Sequence, residues 1–269
     1  MGCNQIINEV INRRQEIKNK KPLIHHITNY VTANDSANIT LSMGASPVMV
    51  NNPEEITEII QTADVLVLNT GTMQSGQERV FFKVVKIANK KGLPIVLDPV
   101  GVGAISLRKK LVIDLIKNYK IDIIKGNIAE IKSIAGMAAR AKGVDSEDDE
   151  EGVVGAAEKL AEKHNMVVAV TGERDIVVDG QRSIKIENGH SLLASVTGTG
   201  CMTASLIGAF AATGMDKFYA AVGGVLTMGI AGELAAAQAA GPGTLHYKLM
   251  DEIYYIDRES YKSLAKIDI

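Results

Sequence analysis

The chain has 269 residues, 46% of them hydrophobic, with a formal net charge of −2 and 4% aromatic residues. A single domain of that length buries roughly three quarters of the surface its unfolded chain exposes. The slight negative charge and the absence of Trp exclude the basic, base-stacking surface of a nucleic-acid binder. Two distant cysteines, Cys3 and Cys201, make a poor disulfide framework and point to a reducing cytoplasm. Residues 1–20 mix Asn, Glu, Arg and Lys among apolar positions, so no signal peptide is expected.

In chain order, Asn52 as N-cap and Pro53 at the first helical position predict a helix over 53–62. Apolar, β-branched runs at 64–69, 93–98, 121–125 and 166–171 read as buried parallel strands. Helix-length segments at 78–91, 106–118 and 153–164 separate or flank them. The acidic stretch 145–151 reads as a solvated loop. Such β–α alternation predicts an α/β fold with a mostly parallel central sheet and helices on both faces. Three short strands should follow at 175–179, 182–187 and 191–196, joined by hairpins at Asp179-Gly180 and Asn188-Gly189. Past Gly200 the Ala- and Gly-rich sequence predicts two or three closely packed helices. Residues 191–215 carry no charge and match a membrane span in length. The run Val196-Thr197-Gly198-Thr199-Gly200 interrupts them as a loop feeding a helix, so no membrane segment is expected. With no repeat and no linker, residues 1–269 form one expected domain.

That glycine run is the most informative segment for chemistry. Glycines at a helix start leave backbone N–H groups unobstructed where the helix dipole favours an anion. A phosphate gaining negative charge during transfer suits such a place; a turn used only for close packing is the other reading. No Gly-Lys-Ser/Thr follows, so this is not a Walker A loop, and Thr203 stands where G-x-G-x-x-G needs glycine. Cys201 in the first helical turn is either a thiol activated by the dipole or a small buried hydrophobe.

Seven further blocks occur with this run, in order. They are Pro22-Leu-Ile-His25-His26-Ile-Thr-Asn29-Tyr-Val31, Met43-Gly-Ala-Ser-Pro47-Val-Met49, Leu68-Asn-Thr-Gly71-Thr72, Leu97-Asp98-Pro-Val-Gly-Val-Gly103, Gly126-Asn127-Ile-Ala-Glu130, Thr171-Gly172-Glu173 and Gly241-Pro242-Gly243-Thr244. Together they resemble hydroxyethylthiazole kinase, a ribokinase-like family of thiamine salvage, over Pro22 to Thr244. The resemblance implies a three-layer α/β/α sandwich that moves phosphate from ATP, with Mg²⁺, to the alcohol of 4-methyl-5-(2-hydroxyethyl)thiazole. It also implies a cytosolic homotrimer with thiazole pockets between subunits.

By the same resemblance, Gly198 to Cys201 form the anion hole, with Gly200 among the ATP contacts, and Cys201 stands where ribokinase-like enzymes generally place an aspartate base. Asn29, Val31, Met49, Gly71 and Gly198 match substrate positions. From the residues alone Val31 and Met49 would be core, and Asn29 a turn cap ahead of Thr32. Asp98 and Glu130 match the acidic positions that serve the metal. Asn127-Ile-Ala-Glu130 is also spaced as a capping box. Lys125 and Thr171 match ATP contacts, with Lys125 departing from the family's usual arginine and its planar fork. Thr171 could equally be a strand-terminal cap for Gly172. Adjacent His25 and His26 lack the spacing of a zinc pair. A sister kinase for another small alcohol, or a nucleotide-binding regulator without catalysis, remains as an alternative.

Overall fold

The computed structural model describes residues 2–137 and 147–269, with the side chains of residues 147–151 outside that description. A nine-stranded sheet runs in the order β2-β1-β3-β4-β5-β6-β7-β8-β9. The strands are β1 (Leu23–Ile27), β2 (Ser46–Val48), β3 (Val65–Asn69), β4 (Ile95–Asp98), β5 (Ile123–Asn127), β6 (Val167–Thr171), β7 (Asp175–Val178), β8 (Ser183–Ile186) and β9 (Ile267–Asp268). Every pairing from β2 to β6 is parallel, and β7, β8 and β9 continue the sheet antiparallel.

Strand pleat splits the apolar residues into two cores, as a two-residue period requires. Val65 and Val67 of β3, with Val167 and Ala169 of β6, face α1 (Cys3–Lys20), α2 (Ala33–Met43), α8 (Thr199–Ala211), α9 (Lys217–Ala236), α10 (Pro242–Tyr255) and α11 (Arg258–Leu264). Leu66, Leu68, Val168 and Val170 face α3 (Ile56–Thr62), α4 (Gln77–Lys91), α5 (Ser106–Asn118), α6 (Ile128–Ile134) and α7 (Glu147–His164). The three-layer α/β/α sandwich is therefore the observed architecture.

Composition alone would let α9 cross a membrane, yet it is mostly buried inside the fold. Its glycines explain how. A Cβ on Gly224 would lie 2.5 Å from the backbone N of Ile207 in α8, so the two helices touch backbone to backbone. Behind them, Arg14 of α1 donates to Met43 O and Ile253 O, neutralising the carbonyl ends of α2 and α10.

Four expectations change. The first predicted helix begins at Ile56, because Asn52 closes its own turn by accepting the Glu54 N–H at 3.0 Å. Residues 191–196 are not a strand, and Asn188-Gly189 closes no hairpin. Asn188 is buried, its Nδ2 donating to Leu264 O at 2.7 Å and its Oδ1 accepting the Lys266 N–H at 2.7 Å. β9 thereby takes the sheet position beside β8, and Ser191–Ser195 coil into a 3₁₀ turn. Within the acidic stretch, Asp145 and Ser146 lie outside the described residues. From Glu147 the chain is already helical, because acidic residue types favour the first turns of a helix. After Gly198 four helices follow, not two or three, since residues 242–255 and 258–264 each carry their own start signals.

Candidate active site

Strands β3, β4, β5 and β6 end at one edge in polar residues: Asn69, Asp98, Asn127 and Thr171. The register sets Asn69 beside Asp98 and Asn127 beside Thr171. Open α/β sheets take ligands at this carboxyl edge. The first turn of α8 meets the same edge, since Cys201 Sγ lies 3.2 Å from Asn69 Nδ2.

Gly198 holds that turn open. It adopts φ +92° at the N-cap, where an L-residue is strained, and no side chain caps the helix. Met202 is the first residue of α8 whose N–H finds a backbone acceptor, Gly198 O at 2.8 Å. The N–H groups of Thr199, Gly200 and Cys201 have no acceptor among the described residues. Over them rests the ammonium of Lys125, so close that a Cβ on Gly200 would lie 2.8 Å from Nζ. Three unengaged amides, a helix dipole and a nearby cation are the features that favour an anion.

Lys125 is 4% exposed and stands 3.7 Å from Asp98 Oδ1, an ion pair without a hydrogen bond. Asp98 Oδ1 is buried and has no hydrogen-bond partner, whereas Oδ2 accepts from Asn69 Nδ2 at 2.6 Å. Glu130 does form the capping box: Oε2 accepts the Asn127 N–H at 2.9 Å while Asn127 Oδ1 accepts the Glu130 N–H. Its Oε1 also holds the Gly101 N–H at 3.0 Å. Burial first, then the charge of Asp98, raises the Glu130 carboxyl above its ordinary pKa.

Cys201 is neither an activated thiol nor a buried hydrophobe: it is half-buried and accepts from two amides. Burial, followed by the Asp98 charge, pushes its pKa up to about 11 against the opposing pull of Thr32, Lys125 and Asn69. The thiol is therefore protonated at neutral pH. Asn29 reaches the same sulfur: Asn29 Nδ2 lies 3.6 Å from Sγ and 3.0 Å from Asn69 Oδ1. Asn29 Oδ1 accepts the Thr32 N–H at 3.0 Å, so its capping role is real too. Gly71 packs against both asparagines, and its N–H donates to Asn69 Oδ1 at 2.8 Å.

A cleft of about 160 Å³ opens beside Asn29, lined by His26, Tyr30, Met49, Thr72 and Gln77 among others. Met49 is half-buried there. Val31 is no core residue: it is 52% exposed, next to Tyr30 at 75%. Thr171 stands one strand from Lys125, its Oγ1 3.5 Å from Gly126 O. It does not cap Gly172, whose N–H goes to Asp175 Oδ1 at 2.9 Å. Both histidines are engaged structurally. His25 Nε2 lies 2.7 Å from Val50 O, and His26 spends its nitrogens on Ile24 O and the Ser205 hydroxyl. Burial lowers the His26 pKa to about 4.

Sequence reasoning singled out neither Asn69 nor Thr32. The available signal for Asn69 was its place: a polar residue closing an apolar strand, as Asp98 does.

A mostly parallel sheet between two helical layers, with its polar residues gathered at the carboxyl edge, is the ribokinase-like architecture. A ribokinase-like superfamily protein from Enterococcus faecalis superposes with a TM-score of 0.62 at 13% identity, covering 88% of this chain and 87% of that one. At that identity the likeness shows the fold alone. The chain belongs to the hydroxyethylthiazole kinase family, whose model matches residues 14–259. It is 42% identical to hydroxyethylthiazole kinase of Clostridium botulinum over 273 residues, covering 98% of each chain. Identity to the Thermoanaerobacter pseudethanolicus hydroxyethylthiazole kinase is 43% over 254 residues, covering 94% of this chain and 96% of that one. The solved structure of the hydroxyethylthiazole kinase protein from Pyrococcus horikoshii matches with a TM-score of 0.90 at 40% identity, covering 97% and 98% of the two chains.

Proposed function

We propose that the protein transfers the γ-phosphoryl group of ATP to the hydroxyl of 4-methyl-5-(2-hydroxyethyl)thiazole. The observation that carries this reading is the unengaged amide trio of Thr199, Gly200 and Cys201 beneath Lys125, one residue away from the Asn29 cleft. Phosphoryl transfer asks chiefly for positioning and for stabilisation of charge on the moving group. The hydroxyl oxygen forms the new P–O bond as the bond to the ADP oxygen breaks. The amides and Lys125 take up the charge on the phosphoryl oxygens.

Cys201 orients the alcohol. With a pKa of about 11 it is not a ready base, and a loose transition state needs little basicity. The hydroxyl proton leaves with the product phosphate. Cys201→Ala is expected to lower kcat about 100-fold with little change in thiazole affinity; steady-state kinetics and a thiazole titration would measure both. An equal loss of binding and turnover would assign the side chain to packing.

Mg²⁺ fits the acidic pair. The orphaned, buried Asp98 Oδ1 is a hard donor awaiting a cation or its water, and Glu130, each oxygen already holding one amide, retains lone pairs for a water. Such an ion would supply neutralisation of the nucleotide phosphates. Lys125 and Thr171 form the nucleotide side, and Met49, Gly71 and Gly198 join Asn29 on the thiazole side.

We also propose a homotrimer whose neighbouring subunit completes the thiazole pocket. The exposure of Tyr30, which lines the cleft, and of its neighbour Val31 supports it. Light scattering after gel filtration should give three times 28.7 kDa. A monomer with full activity would refute the assembly.

The deciding experiment measures ADP release with the thiazole against a panel containing a pyrimidine alcohol and a sugar. Highest kcat/KM for the thiazole is expected. Preference for another alcohol would establish a sister kinase, and ATP binding without any turnover would establish a regulator.

A further inference from the structure

We propose that Asn69 is a positioning residue of the transfer, an amide that couples the alcohol cleft to the phosphoryl site by fixing Cys201 and Asp98 together. The proposal rests on the kinase reading above and assigns a role that the resemblance does not.

Asn69 is 3% exposed and uses its full hydrogen-bonding capacity. Its Nδ2 donates to Asp98 Oδ2 at 2.6 Å and to Cys201 Sγ at 3.2 Å. Its Oδ1 accepts from Asn29 Nδ2 at 3.0 Å and from the Gly71 N–H at 2.8 Å. The partners divide by function: phosphoryl-site groups at the nitrogen, thiazole-side groups at the oxygen. No inverted amide is possible, since its oxygen would face the Asp98 carboxylate and its NH₂ the Gly71 N–H. The orientation is forced by chemistry.

Two consequences follow for the reacting groups. Holding Asp98 by Oδ2 leaves Oδ1 turned to Lys125, the atom without a hydrogen-bond partner. Donating to the sulfur occupies a lone pair, so the S–H of Cys201 must point away from Asn69. A bond to a carboxylate is charge-assisted and among the stronger ones. Moving the amide therefore moves the sulfur, the carboxylate and the wall of the cleft together, and an error of about 1 Å in such a constellation costs on the order of 100-fold in rate.

Asn69→Asp separates the two halves of the amide. It keeps the oxygen facing Asn29 and Gly71 and sets a carboxyl 2.6 Å from Asp98, where the two groups share one proton, while Cys201 loses its amide donor. In a Cys3→Ser background, kcat should fall about 100-fold while the thiazole KM stays within about threefold. Alkylation of Cys201 by iodoacetamide at pH 8 should slow about tenfold, because the sulfur loses the amide donor that favours its thiolate. Asn69→Ser, too short for all four partners, should damage kcat and KM alike. Parent-like kcat in Asn69→Asp, equal losses of kcat and KM, or an unchanged alkylation rate would each overturn the proposal. Should a thermal melt show Asn69→Asp unfolded, Asn69→Ser decides: retention of both constants within about threefold defeats the idea. A parent enzyme without turnover defeats the kinase reading instead, and the alkylation rates still judge Asn69.

Discussion

A Gly198→Val enzyme should lose about 1000-fold in kcat/KM, with both the nucleotide and the thiazole binding less well. Two penalties coincide at this residue. Its φ of +92° is left-handed, a region that a β-branched side chain enters at a cost of about 1–3 kcal/mol. A Cβ would also lie 2.7 Å from Thr32 Cγ2, at the start of α2. Either Thr32 retreats, taking with it the segment that carries Asn29, or the first turn of α8 rotates. In the second case the Thr199, Gly200 and Cys201 amides no longer converge, and losing a single donor of that kind costs on the order of 100- to 1000-fold. Gly155→Ala in α7 is the control: nothing lies within 4 Å of its added Cβ, so activity should not change. A folded Gly198→Val enzyme with activity within tenfold of the parent would remove the anion hole from its central place.

Why the glycine turn could be read in advance, and Asn69 could not, has a physical basis. Backbone chemistry leaves local traces. A Gly-x-Gly run before an apolar stretch reads as a turn feeding a helix, and α8 begins at Thr199, inside that run. The parallel strands were legible because burial on both faces demands unbroken apolar runs. By contrast, the role of Asn188 depends on Leu264, Glu233 and Lys266, none of them near in sequence, and a strong hairpin dipeptide was therefore misleading. Asn69 is the same kind of case: three of its four partners, Asn29, Asp98 and Cys201, come from distant segments, so no spacing marks them. Val31 shows the converse. As an aliphatic it reads as core, yet it is exposed. Cys201 was ambiguous because a helix N-terminus and a buried, acid-flanked pocket pull a thiol in opposite directions, and sequence does not say which is larger. In the fold, burial and Asp98 win.

Asp98→Asn should reduce turnover about 1000-fold while leaving metal-free ADP binding intact or tighter. The change keeps the shape of the side chain and removes its charge. Asp98 is 1% exposed and stands 3.7 Å from the Lys125 ammonium, itself 4% exposed, so the substitution leaves a buried cation without its counter-charge. Breaking such a pair costs about 3–5 kcal/mol of stability, which a denaturant melt without nucleotide would register. The same orphaned ammonium lies against Gly200, where the phosphates are proposed to sit, and there it becomes a stronger partner for an anion. Removing the carboxylate also removes a like charge from beside the phosphates. Added ADP should therefore restore more stability to the variant than to the parent, even though catalysis is lost. Calorimetric titration with ADP in the presence of a chelator, set against kcat with saturating substrates and Mg²⁺, separates the two effects. If ADP affinity instead fell in step with turnover, Asp98 would be shaping the nucleotide cradle itself, and the division of labour between Lys125 as phosphate clamp and Asp98 as cation ligand would not hold.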